Sequence, residues 1–155
     1  AERLVARAPG RTLTEIRFCT GVPDSTSLPT KNKLWHAFWT NKLRAMTNQG
    51  IIIYKGRVNR GGQEKGGDVR LALDVVHLTH ESRYDCGIIV SEDWDFGSAV
   101  SLAKIIARHQ SRVLSFESAF PFDNNNTSPR GIPGTTWVHI DKPLYDSCHD
   151  PKDYH

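Results

Sequence analysis

The chain has 155 residues, a hydrophobic fraction of 38%, a charged fraction of 24% and a formal net charge of +3 at pH 7. These values are ordinary for a soluble globular protein, and we expect one domain over residues 1–155 with its own hydrophobic core. The sequence has no apolar run of about 18 residues and no signal-peptide pattern, which argues against a membrane protein and against export.

The three cysteines, Cys19, Cys86 and Cys148, are widely spaced and odd in number. They form neither a disulfide framework nor a Cys-x-x-Cys pair, so reduced thiols in a cytoplasmic protein are expected. The positive net charge is compatible with nucleic-acid binding, but a charge run is as often a solvated surface. Basic residues are concentrated in two stretches: Arg3, Arg7, Arg11 and Arg17, and then Lys55, Arg57, Arg60, Lys65 and Arg70.

The first part of the chain alternates between helix and strand patterns. Residues 1–8 are typical of the end of a helix, which a Pro-Gly pair then stops. Residues 13–19 alternate apolar and polar side chains, as a strand does. Residues 34–48 have apolar side chains near helical spacing, and residues 51–58 again have a strand pattern.

The middle of the chain starts with a glycine-rich turn, NRGGQEKGG, at residues 59–67. A helix is predicted from Asp68 to about Arg83. Residues 86–91, CGIIVS, are a short apolar run that predicts a buried strand. The predicted buried stripe of the helix consists of Val69, Ala72, Leu73 and Val76.

The last part of the chain adds a helix at residues 95–108, with Phe96, Val100, Ala103 and Ala107 on its apolar stripe. Residues 112–116 predict a strand, residues 121–136 a long loop, and residues 137–140 a final strand before a short turn. Alternating strands and helices predict a parallel sheet covered by helices. Such a sheet binds ligands at the carboxyl ends of its strands.

Acidic residues follow the predicted strand at residues 86–91: Glu92, Asp93 and Asp95. Asp68 occupies a similar place, at a helix start. Carboxylates that converge repel one another, and a hard divalent cation such as Mg²⁺ or Mn²⁺ relieves the repulsion and can activate water. The alternative is helix capping, by Asp68 and by either Asp93 or Asp95, worth about 1 kcal/mol per cap. Capping leaves one of the pair and Glu92 unexplained.

Two joined segments resemble the NYN domain, a branch of the PIN-like ribonucleases. They are EKGGDVRLALD, residues 64–74, and RYDCGIIVSEDWDF, residues 83–96. The family pattern runs E-K-G-V-D-V, L-A-x-D, R-Y-D and S-G-D-S-D-F. Residues 17–24 and 139–154 are also similar to family members, so the resemblance covers almost the whole chain. It implies a Rossmann-like α/β/α sandwich with a mainly parallel sheet and metal-dependent cleavage of RNA.

The resemblance also implies roles for individual residues. Asp68, Asp93 and Asp95 match the family's metal-binding and catalytic acids, with Mg²⁺ or Mn²⁺ as the cofactor. Lys65 matches a lysine beside that site and would meet a phosphate. The other candidate RNA-binding residues are Ser91 at the rim, Trp94 as a base-stacking or packing aromatic, and Arg60 on the phosphate backbone.

Asp74 matches an aspartate inside the family's helix. It is about 240° around the helix from Asp68, so a structural hydrogen bond or an indirect role is expected rather than metal binding. Three positions depart from the pattern. Gly67 replaces a valine, which is expected to loosen the turn before Asp68, Glu92 replaces a glycine, and Trp94 replaces a serine. Glu92 is either an extra acid near the metal or pairs with an arginine.

The family's first strand, which ends in D-G-x-N and supplies a metal-binding aspartate, has no counterpart in this sequence. That strand is central in the family's sheet, and its loss would leave unpaired backbone groups on both neighbours. We therefore expect a preceding segment or a second chain to supply this strand and one acidic ligand, between the strands at residues 13–19 and 86–91. A homo-oligomer is left open.

The leading hypothesis is a metal-dependent ribonuclease. The first alternative is an RNA-binding module or scaffold with a degraded site. The second is a D-x-D phosphohydrolase with Asp93 as nucleophile, although Gly97 stands where such enzymes carry a threonine.

Overall fold

A computed structural model of the chain describes residues 1–22, 30–59, 63–123 and 131–154. The chain divides into two compact units, Ala1–Leu71 with Lys152–His155, and Ala72–Pro151. Each unit contains one three-stranded sheet. A helix, α3 at Gly67–His80, runs from the first unit into the second.

The first unit is built around two parallel strands and one long helix. Its sheet has the order β1-β2-β3: β1 and β2 pair in parallel from Arg17↔Ile52 onward, and the short β3 is antiparallel to β2. Its elements are α1 (Glu2–Val5), β1 (Arg17–Gly21), α2 (Thr30–Asn48), β2 (Ile52–Val58) and β3 (Glu64–Lys65).

The second unit has an entirely parallel sheet of order β4-β5-β6. Its elements after α3 are β4 (Cys86–Ile89), α4 (Phe96–His109), β5 (Ser115–Pro121), β6 (Thr136–Ile140) and α5 (Lys142–Asp146). The predicted α/β class with mainly parallel pairing is therefore confirmed. For β1–β2 and β4–β5 the reason is the chain order, because a helix between two strands of one sheet returns the second strand parallel to the first.

The hydrophobic core of the second unit is formed by α4 and β5. The predicted stripe of α4 is confirmed, since Phe96, Val100, Ala103 and Ala107 are all buried. From β5, Phe116 and Phe120 are no more than 2% exposed. Ala103 and Ala107 of α4 are no more than 1% exposed, as expected where a helix packs closely in a core.

The predicted buried stripe of α3 is wrong. Val69 and Leu73 are 64% and 62% exposed, whereas Val75 and Thr79 are buried. Thr79 is tolerated inside because its hydroxyl donates to the Val75 carbonyl at 2.8 Å. The helix therefore buries a different face from the one that the apolar pattern of the sequence predicted. Asp74 is also buried, in line with the structural role expected for it.

Two strands are displaced from their predicted positions. β1 was predicted from residue 13 but begins at Arg17, which is where its pairing with β2 begins. β5 begins at Ser115, and Val113 before it is 90% exposed. In both cases the register with the parallel neighbour sets the boundary, and the apolar pattern alone does not. The strand β3 was not predicted, because glycines surround it.

No helix within the described ranges is long and apolar enough to cross a bilayer. All three cysteines are free.

Candidate active site

The acidic turn of residues 91–95 lies directly after β4, at its carboxyl end. The Ser91 hydroxyl oxygen accepts a hydrogen bond from the Asp93 backbone N–H at 3.1 Å. Asp93 Oδ1 in turn accepts from the Asp95 N–H at 3.0 Å. Two successive side-chain-to-backbone bonds of this kind hold a tight turn without regular secondary structure.

Helix α4 begins immediately after this turn. Phe96, its first residue, is 4% exposed and anchors the helix in the core. Asp95 occupies the N-cap position, but its side chain makes no capping bond and its backbone is in the helical region. The capping explanation of the acidic pair therefore fails for Asp95. One carboxylate oxygen of Asp93 accepts the hydrogen bond from the Asp95 N–H within the turn.

The carboxylates of this turn face solvent. Glu92, Asp93 and Asp95 are all exposed. Within the described part of the chain, the Asp95 carboxylate accepts no hydrogen bond, and Glu92 forms no ion pair with an arginine. Trp94, in the same turn, is 54% exposed.

The amino end of β4 is fixed by a network around Tyr84 and Arg112. Arg112 donates to the Tyr84 carbonyl at 2.6 Å, to the Thr79 carbonyl at 3.2 Å and to Asp85 Oδ1 at 3.3 Å. The Tyr84 hydroxyl donates to the Val75 carbonyl at 2.9 Å and lies 2.6 Å from the Thr79 hydroxyl. Burial raises the pKa of the Tyr84 hydroxyl, while the Thr79 hydrogen bond and the Arg112 charge lower it by less. The strand that carries the acidic turn is thus tied down at its other end.

The remaining sequence-predicted residues lie in the first unit. Lys65 is in β3, and Asp68 is the second residue of α3, so Asp68 is not the N-cap that its position in the sequence predicted. Both side chains are exposed. Arg60 falls outside the described residues. The left-handed turn before α3 is at Gly66, with a φ of 92°, and not at Gly67.

Glu64 is an acidic residue near Asp68 that sequence reasoning did not single out. Its side chain occupies the space where a Cβ would stand on any of three glycines, Gly21, Gly56 and Gly67. Gly67 is buried, and the Glu64 carboxylate lies in the space that a Cβ at Gly67 would occupy; the expectation that Gly67 loosens the turn stays a prediction. The sequence signal that could have identified Glu64 is its place as the first residue of the E-K-G segment that resembles the family pattern.

The donor chemistry of the acidic turn fits Mg²⁺ or Mn²⁺. Both ions prefer oxygen ligands, and Mg²⁺ is commonly held by one or two carboxylates together with water and substrate phosphates. Asp93 and Asp95 supply two such carboxylates on one short turn. No group of three or more His, Cys, Asp or Glu side chains within the described ranges is arranged to hold a metal by itself.

The family model of the NYN domain matches residues 2–127, well over half of the chain. The chain belongs to the NYN domain family. The NYN fold is PIN-like and of the nuclease type, and its members are generally ribonucleases, which confirms the resemblance stated from the sequence. Comparisons with curated proteins and with solved structures gave no match. In this NYN domain, the acidic turn after β4 is the segment that resembles the family's S-G-D-S-D-F pattern.

Proposed function

We propose that this NYN domain is a metal-dependent ribonuclease whose acidic turn holds Mg²⁺ or Mn²⁺. The observation that carries the proposal is the hydrogen-bonded turn at the carboxyl end of β4, which presents the exposed carboxylates of Asp93 and Asp95. Asp68, in the first unit, is proposed as a further catalytic acid because it matches the family pattern. The ion, when bound, supplies an activated water and neutralises charge on the phosphodiester.

The residues of the turn have distinct tasks in this proposal. Asp93 orients the turn with Oδ1 and offers its other oxygen to the ion, while Asp95 offers an unoccupied carboxylate. Ser91 holds the turn by accepting from the Asp93 N–H, so its role is positioning as much as substrate contact. Trp94 offers a half-exposed ring on which a base can stack, a contact worth about 1–3 kcal/mol. Lys65 and Arg60 are proposed to contact the RNA phosphates.

The test is cleavage of labelled single-stranded RNA with Mn²⁺, with Mg²⁺ and with a chelator. Asp93→Asn and Asp95→Asn should each abolish cleavage. The matched control is Asp85→Asn, which removes a carboxylate at the opposite end of β4 whose side chain is 91% exposed. Cleavage that persists in both variants, or in the chelator, contradicts the proposal. RNA binding without cleavage in any metal would indicate a scaffold, and hydrolysis of a phosphomonoester alone would indicate a phosphohydrolase.

The proposal includes an additional strand that completes the site with one more acid. β1 ends the order β1-β2-β3 and β4 ends the order β4-β5-β6, so among the described residues each has one edge without a strand partner. Unpaired edges readily accept another strand. Hydrogen exchange provides the test: if a strand is added, the outward amides of β1 and β4 are protected. Rapid exchange of those amides would contradict the addition.

A further inference from the structure

The long helix of the first unit, α2, has an unusual charge distribution. Its 19 residues, Thr30–Asn48, include no Asp or Glu. The basic residues of the helix are Lys31, Lys33, Lys42 and Arg44. A solvated surface helix normally mixes both signs of charge, so a helix with only positive charge is complementary to an anionic partner.

Two cavities, of about 290 and 280 Å³, lie along the C-terminal half of α2. Arg44 and Asn48 line both of them, so the two cavities are adjacent on this face of the helix. On one side Lys55 of β2 contributes a second cation, and on the other side Lys152 contributes a third. We call this the α2 groove and define it by Asn41, Arg44, Asn48, Lys55 and Lys152.

Two cations of the α2 groove, Arg44 and Lys55, are available to a ligand. Arg44 is exposed, and one of its terminal nitrogens donates to Asn41 Oδ1 at 3.1 Å. Neither Arg44 nor Lys55 forms a salt bridge with any described residue. Asp153 is the acidic residue among those that line the two cavities, against three cations, so the groove remains positive.

The groove is built on fixed elements. Leu43 is 2% exposed and anchors α2 in the core. The Asn41 side chain donates to the Tyr154 carbonyl at 3.0 Å, and Tyr154, itself buried, packs edge-to-face on Phe38 at 5.9 Å between ring centroids. These contacts hold the segment that carries Lys152 against the helix. A preformed site avoids much of the ordering cost of binding.

We propose that the α2 groove binds the phosphate backbone of the RNA substrate, an inference that rests on the proposed ribonuclease function. The arginine and the two lysines match the charge of successive phosphates, and Asn41 and Asn48 offer amide donors to phosphate or sugar oxygens. Cavities of this size are at the lower end of those that hold small molecules, and such pockets are mostly apolar. An open, cationic groove fits a chain that passes along the surface better than an enclosed ligand.

Equilibrium binding of a fluorescent single-stranded RNA in a chelator tests the groove without cleavage. Each phosphate contact contributes about 0.7 to the slope of log affinity against log salt for single strands. Arg44→Gln should therefore lower the magnitude of that slope by about 0.7. If the variant and the wild type bind equally at 1 M salt, the variant should bind about five-fold more weakly at 0.1 M salt. The double variant Arg44→Gln with Lys55→Gln should lose about 25-fold, with a slope change of about 1.4.

The matched control for Arg44 is Arg108→Gln on α4. Both arginines are exposed and both bond within their own helix, Arg44 to Asn41 and Arg108 to the Lys104 carbonyl at 3.4 Å. Arg108→Gln with Lys142→Gln matches the charge change of the double variant. Circular dichroism of all variants confirms that each is folded.

The proposal is overturned if the groove variants and the control variants bind RNA with equal affinity and equal salt slopes. It is also overturned if polyglutamate binds as tightly as RNA, which would indicate an acidic protein partner. Competition by AMP at the affinity of the RNA would indicate a mononucleotide site in place of a backbone path. The outcome is independent of catalysis: wild-type protein that binds RNA through the groove without cleaving it in Mn²⁺ refutes the ribonuclease and leaves the groove standing.

Discussion

Tyr84→Phe removes a single hydroxyl from the network that holds the amino end of β4. That hydroxyl donates to the Val75 carbonyl at 2.9 Å and lies 2.6 Å from the Thr79 hydroxyl. Thr79 is fully buried, but its own hydroxyl also donates to the Val75 carbonyl at 2.8 Å, so no polar atom is left without a partner. The loss is therefore that of one or two ordinary hydrogen bonds, about 1–2 kcal/mol of unfolding free energy.

The same substitution changes the pH dependence of stability. Because burial raises the pKa of the Tyr84 hydroxyl, the folded protein holds the phenolic proton more tightly than the unfolded chain. This contribution is complete below the unfolded value, near pH 10, and is lost as the pH rises through the higher folded value. The wild-type protein should therefore lose stability in strong alkali by a component that Tyr84→Phe lacks.

Urea denaturation at pH 7 and at several values above pH 10 measures both effects. Tyr145→Phe is the control, since Tyr145 is 69% exposed, and it should match the wild type at every pH. The interpretation fails if Tyr84→Phe is as stable as the wild type at pH 7. It also fails if the two proteins lose stability in parallel above pH 10.

Three further substitutions have expected costs that urea denaturation measures. Gly87→Ala should destabilise by about 1–3 kcal/mol, because its Cβ would stand 2.6 Å from the ring of buried Phe116; an unchanged midpoint would show that the ring moves freely. Val100→Ala should cost about 2–3 kcal/mol, since Val100 is 0% exposed and the change leaves a cavity; a cost below 0.5 kcal/mol, on the order of a surface change, would contradict its place in the core. Asp93→Ala should cost about 0.5–1 kcal/mol by losing the bond to the Asp95 N–H, whereas Asp93→Asn keeps an acceptor; equal costs would show that the bond does not stabilise the turn.

Most of the fold was predictable, because its elements have strong local signals. The buried stripe of α4 repeats at helical spacing. The predicted bounds of the helix agree with the structure to within one residue at each end. β2 and β6 are likewise found where their apolar runs are. The displaced boundaries of β1 and β5 were not predictable, since the pairing register with a strand distant in sequence sets them and that register has no local sequence signature.

The candidate site was predictable in its residue types and only partly in its geometry. The acids at the end of β4 stand out because an apolar run stops at a cluster of charge. Sequence alone did not reveal that Asp93 is bonded to the Asp95 N–H, nor that Glu64 fills the space left by three glycines. Such contacts depend on backbone conformation and on residues distant in sequence.

The sequence by itself determined the alternating α/β order, the parallel pairing that follows from it, and the acidic residues after β4 that resemble the NYN pattern. Only the tertiary structure decided which face of α3 is buried and that the acidic turn is held by Ser91 and Asp93. It also decided that Lys55 and Lys152, nearly 100 positions apart, flank the same helix. The physical reason is that periodicity encodes local structure, whereas the face that a helix buries and the cations that share a groove follow from packing between distant segments.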